Sequence, residues 1–142
     1  MFKVLLPIDI NQLEAKVPFL DRAIVYLKAL EGQFVIMTVM ADYGAYFVSP
    51  LLPENFVEKA KAKALESLET FAKHHIPEEL VGSLSVRYGS THAEIITVAE
   101  EENVDLIFLG ADRPEPVDYL LGTMEGRVMR HATCDVVIFH NS

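Results

Sequence analysis

DLIFLGADRPEPVDYLLGTMEGRVMRHATCDVVIFH, residues 105–140, decides the fold. It opens on the apolar run DLIFLGA (105–111) and closes on another, CDVVIFH (134–140), with the helix-like TMEGRVMRHA (123–132) between them. An apolar run without alternation is expected of a strand covered on both faces, and a strand-helix-strand unit joins parallel strands.

Working outward, FKVLLPIDI has the same unalternating character and predicts a first strand over about residues 2–9. Leu13, Val17, Leu20, Ile24 and Leu27 then recur at spacings of four and three, which predicts a helix over 13–30 that Gly32 stops. QFVIMTVMA predicts a second buried strand at 33–41, and the loop DYGAYFVSPLLP follows. An amphipathic helix is expected over 54–75, where Val57, Ala60, Ala64, Leu68 and Phe71 share a stripe. SLSVRYG reads as a short, partly alternating edge strand at 83–88, and Ser90 or Thr91 can cap a helix running through Glu101. Strands and helices alternate throughout, with no linker or repeat.

The expected architecture is therefore α/β: a single doubly wound, Rossmann-like five-stranded parallel sheet of order 3-2-1-4-5, in one domain over 1–142. In that order the chain leaves the first strand in one direction and the fourth in the other. A ligand crevice is expected at their carboxyl ends, where Pro7, Ile8 and Asp9 meet Leu109 and Gly110.

Composition narrows the ligand. Hydrophobic residues make up 51% of 142, enough for a core, yet no apolar run approaches the roughly 20 residues that span a bilayer. Asp9 comes too early for a secretory signal, so a cytoplasmic protein without membrane insertion is expected. A formal net charge of -9 opposes binding to nucleic acid, which needs clustered cations. Cys134 stands alone among apolar neighbours and reads as a buried small side chain. His74 and His75 point about 100° apart on one helix and do not share a metal, and the Lys/Glu run 58–69 reads as a wet helix face. No nucleophile-base pattern, CxxC, HExxH or Walker loop occurs, so no catalytic residue is assigned.

In GADRPEPVDYLLGT (110–123), Gly110 lets a ligand approach the backbone at a strand end. Gly122 and Thr123 open the last helix, whose unpaired N–H groups favour an anion, although Thr123 can equally be a plain N-cap. Arg113 can present a bidentate fork to phosphate or stand as a solvated loop charge. Asp9 can accept from an adenine amino group or a ribose hydroxyl, or can bond nearby loop amides.

VLLPID, LIFLGADRP, YLLGT and RVMRHATCDVVIF together resemble the universal stress protein family, over essentially the whole chain in element order. The resemblance implies an adenine nucleotide alpha hydrolase-like fold and ATP held by a glycine, two residues, a glycine, nine residues, then glycine with Ser or Thr. Here Arg113 replaces the second glycine and eight residues separate it from Gly122, which resembles a subgroup that keeps nucleotide with Arg in that place. On this basis Pro7, Ile8 and Asp9 face adenine and ribose, Val39 packs on the base, and Leu109 and Gly110 line the ribose and first phosphates. Arg113 replaces glycine contacts with a charge, and Gly122, Thr123 and Met124 bound the phosphate tail.

Glu125 follows, where a small or hydroxyl residue usually meets the terminal phosphates. A carboxylate about 4 Å from a phosphate costs on the order of 1 to 4 kcal/mol, so either Mg²⁺-dependent ATP binding or a preference for AMP or ADP is expected. The resemblance also implies a homodimer through the C-terminal strand, whose apolar edge invites pairing. The leading function is an ATP- or adenine-nucleotide-binding regulatory dimer of the stress response, with at most slow ATP hydrolysis. The alternative is a member without nucleotide that acts as an interaction module on a regulated protein partner such as a transporter or kinase. A flavodoxin-like electron carrier shares the topology but lacks support, since the chain has no Trp and no hydroxyl-rich loop after the first strand.

Overall fold

The computed structural model describes residues 1–10, 17–41, 55–111 and 122–140. Five strands, β1 (Phe2–Pro7), β2 (Gly32–Ala41), β3 (Val81–Gly89), β4 (Leu106–Ala111) and β5 (Asp135–His140), form one parallel sheet of order β3-β2-β1-β4-β5. The helices are α1 (Leu20–Ala29), α2 (Phe56–His75), α3 (Thr91–Glu101) and α4 (Met124–His131), with a short 3₁₀ turn at Glu78–Leu80. The expected fold is the observed one.

Alternation along the strands sorts two cores. Val4, Leu6, Phe34, Ile36 and Phe108 pack against α1 and α2 through residues such as Leu27, Leu68 and Phe71. Their neighbours Leu5, Val35, Met37, Ile107 and Leu109 pack against α3 and α4 through Ile95, Val98 and Val128. Both faces of the sheet are thus covered, which explains why the strand sequences are apolar without a period of two.

Several boundaries differ from expectation for identifiable reasons. The first helix begins at Leu20, not Leu13; residues 11–16 lie outside the described ones, and Pro18 disfavours helical backbone at Val17. Gly32 does not end it. The left-handed position after α1 belongs to Glu31 (φ 55), and Gly32 opens β2, where a Cβ would sit 2.7 Å from the Phe2 carbonyl oxygen and 3.0 Å from Leu27 Cδ1. That glycine is a packing requirement between β1, β2 and α1. β3 is an edge strand as expected but starts at Val81, and β1 stops at Pro7, so Asp9 stands beyond the strand. Ser90 occupies the N-cap of α3 without a capping side-chain bond; its Oγ lies 3.3 Å from His92 Nδ1 instead.

Candidate functional site

The site begins with a ladder that stops. Among the described residues β1 pairs with β4 only at Val4↔Leu106 and Leu5↔Ile107, while β1–β2 pairing runs on to Pro7↔Met37 and β4–β5 pairing to Ala111↔His140. Successive residues of a strand turn their backbone polar groups to opposite sides. Ile8 N–H donates to the Met37 carbonyl at 2.7 Å, so position 7 faces β4, and Pro7 has no N–H to continue the ladder. The seam between β1 and β4 therefore opens toward their carboxyl ends.

Three of the sequence candidates converge beside this opening. Leu109, 2% exposed, belongs to the core under α3 and α4, and half-buried Val39 and Met124 pack against the same core. The ends of β2 and β4 and the first residue of α4 thus share one face. Ile8 is placed otherwise: at 4% exposure its side chain lies in the opposite core, under α1 and α2, so only its backbone can meet a ligand. Pro7 and Gly110 are half-buried, and Asp9 is exposed just past β1. Arg113 lies outside the described residues.

At the start of α4 the N-cap option for Thr123 is realised. Gly126 N–H donates to Thr123 Oγ1 at 3.0 Å, and a Cβ on Gly126 would come within 2.9 Å of that oxygen. Glycine at 126 is therefore what lets the hydroxyl reach the helix. A hydroxyl accepting one bond still has its own proton to donate. Arg127 N–H donates to the Thr123 carbonyl at 3.0 Å, and Met124 and Glu125 carry the other N–H groups of the first turn. Gly122, at φ 79, supplies a left-handed turn that a side chain would strain.

Two residues that sequence reasoning passed over sit here. Arg127 folds back along α4 until its Nε is 3.9 Å from where a Gly122 Cβ would be. A signal existed, because a cation in the opening turn of a helix opposes the macrodipole and suggests an anion nearby. Arg87 of β3 stands in register with Val39 and is clamped by α3. Its Nε meets Glu94 Oε1 at 3.1 Å, and its two terminal nitrogens meet the Glu101 carboxylate at 3.0 and 3.2 Å. Glu101, then Glu94, hold the guanidinium above its ordinary value. These groups are committed to one another and tie the edge strand β3 to α3.

A groove of about 430 Å³ lies elsewhere, along α2, lined by Lys63, Glu66, Ser67, Thr70, Phe71, His74 and His75. Among the described residues it is one stripe of one helix, with no convergence of polar groups from other elements. Among the described residues no cluster of His, Cys, Asp or Glu could hold a metal, and no helix is long and apolar enough to cross a membrane.

A sequence model of the universal stress protein family matches residues 1–140. The chain belongs to this family. Universal stress protein G of Shigella flexneri is 25% identical over 144 residues, spanning 97% of this chain and 99% of that protein. The universal stress protein UspA from Lactobacillus plantarum superposes with a TM-score of 0.70 at 20% identity, over 97% of each chain. A universal stress protein solved in complex with cAMP gives 0.65 at 21% identity, over 99% of this chain and 98% of that one. The two structural likenesses carry the shared fold.

Proposed function

We propose that this member of the universal stress protein family binds an adenine nucleotide at the carboxyl ends of β1 and β4, as a single domain over 1–142, and acts as a regulatory protein in the cytoplasmic stress response. The observation that carries the reading is the seam released at Pro7, next to the face shared by Val39, Leu109 and Met124. Family membership and a relative of the same fold in complex with cAMP support it. Asp9 accepts from the adenine amino group or a ribose hydroxyl, and Val39 packs on the base. Leu109 and Gly110 line the ribose, and Gly122, Thr123 and Met124 bound the phosphate, with the Thr123 hydroxyl proton and two first-turn amides as donors. Arg113, in the manner of the Arg-bearing subgroup, adds a charge. The role is binding rather than turnover, since no residue suggests a base for hydrolysis beyond a slow background.

A second copy pairs through β5, at the edge of the sheet. A strict monomer at micromolar concentration would remove that part of the proposal.

Thermal unfolding with ATP, ADP, AMP and cAMP, with and without Mg²⁺, tests the binding. A ligand at about a hundred times its Kd stabilises by roughly 2.7 kcal/mol, which is several degrees in a chain of this size. No shift with any nucleotide at millimolar concentration would select the competing reading, an interaction module without nucleotide. That reading draws on Arg113 in place of glycine and on Val25 and Tyr26, exposed at 67% and 55% on α1.

A further inference from the structure

Resting on the reading that two copies pair through β5, we infer that an ion pair between Arg22 on α1 of one copy and Asp135 of the other fixes the contact, made twice about a two-fold axis. The inference starts from the two edges of the sheet. β3 is guarded: its ladder with β2 carries a register shift at Phe34/Val35, and Gly82 and Ser83 are exposed along it. β5 has no such guard. All six of its residues pair with β4 without irregularity, Val136, Val137 and Ile138 are half-buried, and only the ends, Asp135 and His140, are exposed. Beside this edge lies Tyr26 of α1, 55% exposed, with its ring edge-on to Phe139 at 5.4 Å. An apolar edge with an exposed aromatic alongside fits another strand.

Charge selects the strand and its direction. Arg22 donates to the His140 carbonyl, and its guanidinium carbon stands 5.8 Å from the centre of the Phe139 ring, so a cation covers the carboxyl end of β5. Asp135 stands at the amino end, exposed and with no ion-pair partner among the described residues. A parallel copy would set Asp135 beside Asp135, whereas an antiparallel copy sets each carboxylate beside the other copy's cation. The faces agree as well. Val137 and Phe139 pack into the core under α1 and α2, so Asp135, two residues before Val137, belongs to the face on which Arg22 lies. A two-fold axis perpendicular to the sheet keeps that face common to both copies. Opposing Val137 with its own counterpart pairs the three half-buried residues among themselves. It also puts Asp135 of one copy opposite Phe139 of the other, roughly 5 Å away and beside the Arg22 guanidinium, which has donors left after its bond to His140. The occupant that fits this edge is a second copy of the chain.

Sedimentation equilibrium of the full chain tests this, with thermal unfolding as a check that each variant is folded. The parent is compared with Arg22→Glu, Asp135→Lys, Asp135→Asn, the double exchange of Arg22→Glu with Asp135→Lys, and Lys28→Glu. Arg22→Glu and Asp135→Lys should each raise the dimer Kd at least about tenfold, Asp135→Asn should raise it about threefold, and the double exchange should recover most of the loss. Lys28→Glu makes the same change of charge on α1 but points about 120° away from Arg22, and should move the Kd by less than about twofold. Asp135→Asn keeps the shape of the side chain and carries the test where an exchange unfolds the chain. Single exchanges with the parent's Kd overturn the inference and leave the β5 pairing standing, as does a double exchange no tighter than the singles. An equal loss in Lys28→Glu overturns it too, because net charge would then be the cause. A parent that stays monomeric at micromolar concentration overturns the pairing, and this inference with it.

Discussion

The two ends of the β1–β4 seam are built in opposite ways. At the amino end the strands are stitched. Lys3 N–H donates to Asp105 Oδ2 and Asp105 N–H to the Lys3 carbonyl, each at 2.8 Å, and Lys3 Nζ reaches the Glu102 carbonyl at 3.1 Å. At the carboxyl end, after two rungs, a proline withholds the donor and the ladder stops. The difference teaches that the sheet gives up backbone pairing at its carboxyl end, where a donor is missing, and adds side-chain bonds at its amino end.

The seam itself is the place to break this comparison hardest. Leu5, fully buried, holds its last rung, and Leu5→Ala should cost about 2 to 5 kcal/mol in urea unfolding. A loss below ~1 kcal/mol would mean that the seam is not packed as described. Removing the stitch is milder. Asp105→Ala takes the partner from the Lys3 amide and should cost roughly 1 to 2 kcal/mol, with nucleotide affinity unaltered; a change in affinity would show that the two ends are not independent.

At the open end, Thr123→Ala removes the α4 cap and should cost about 1 kcal/mol, together with a loss of AMP affinity that the Asp105 variant does not show. A variant as stable as the parent would mean that the cap bond to Gly126 contributes nothing. The smallest effect concerns Cys134, which sits at the stitched end just before β5. Burial, then Asp135 and Asp105, push its thiol up. Alkylation should therefore be slower than for free cysteine and should rise as pH climbs. Labelling as fast as free cysteine would show that end to be open as well.

The sheet order was legible because five apolar runs without alternation, separated by amphipathic stretches, admit few arrangements. The carboxyl-end crevice followed from that order. What sequence could not supply was register and direction. Pro7 reads as an ordinary strand residue until the bond from Ile8 to Met37 fixes which neighbour position 7 faces. Gly32 reads as a helix stop, although its small size answers to the Phe2 carbonyl and Leu27. Arg127 is an unremarkable charge until its side chain is seen to double back on Gly122. Arg87 lies seven residues before Glu94 and fourteen before Glu101, spacings that mean nothing until the edge strand and α3 are laid together.

The stitch at Lys3 and Asp105 also bears on how the chain assembles. It joins residues 102 positions apart, whereas β1 and β2 meet across only about 30. Closing the longer loop costs roughly 1 kcal/mol more in chain entropy. The pairings within β3-β2-β1 and β4-β5 close shorter loops than the seam between β1 and β4, so that seam carries the largest closure entropy in the sheet. The crevice thus lies along the costliest closure in the sheet.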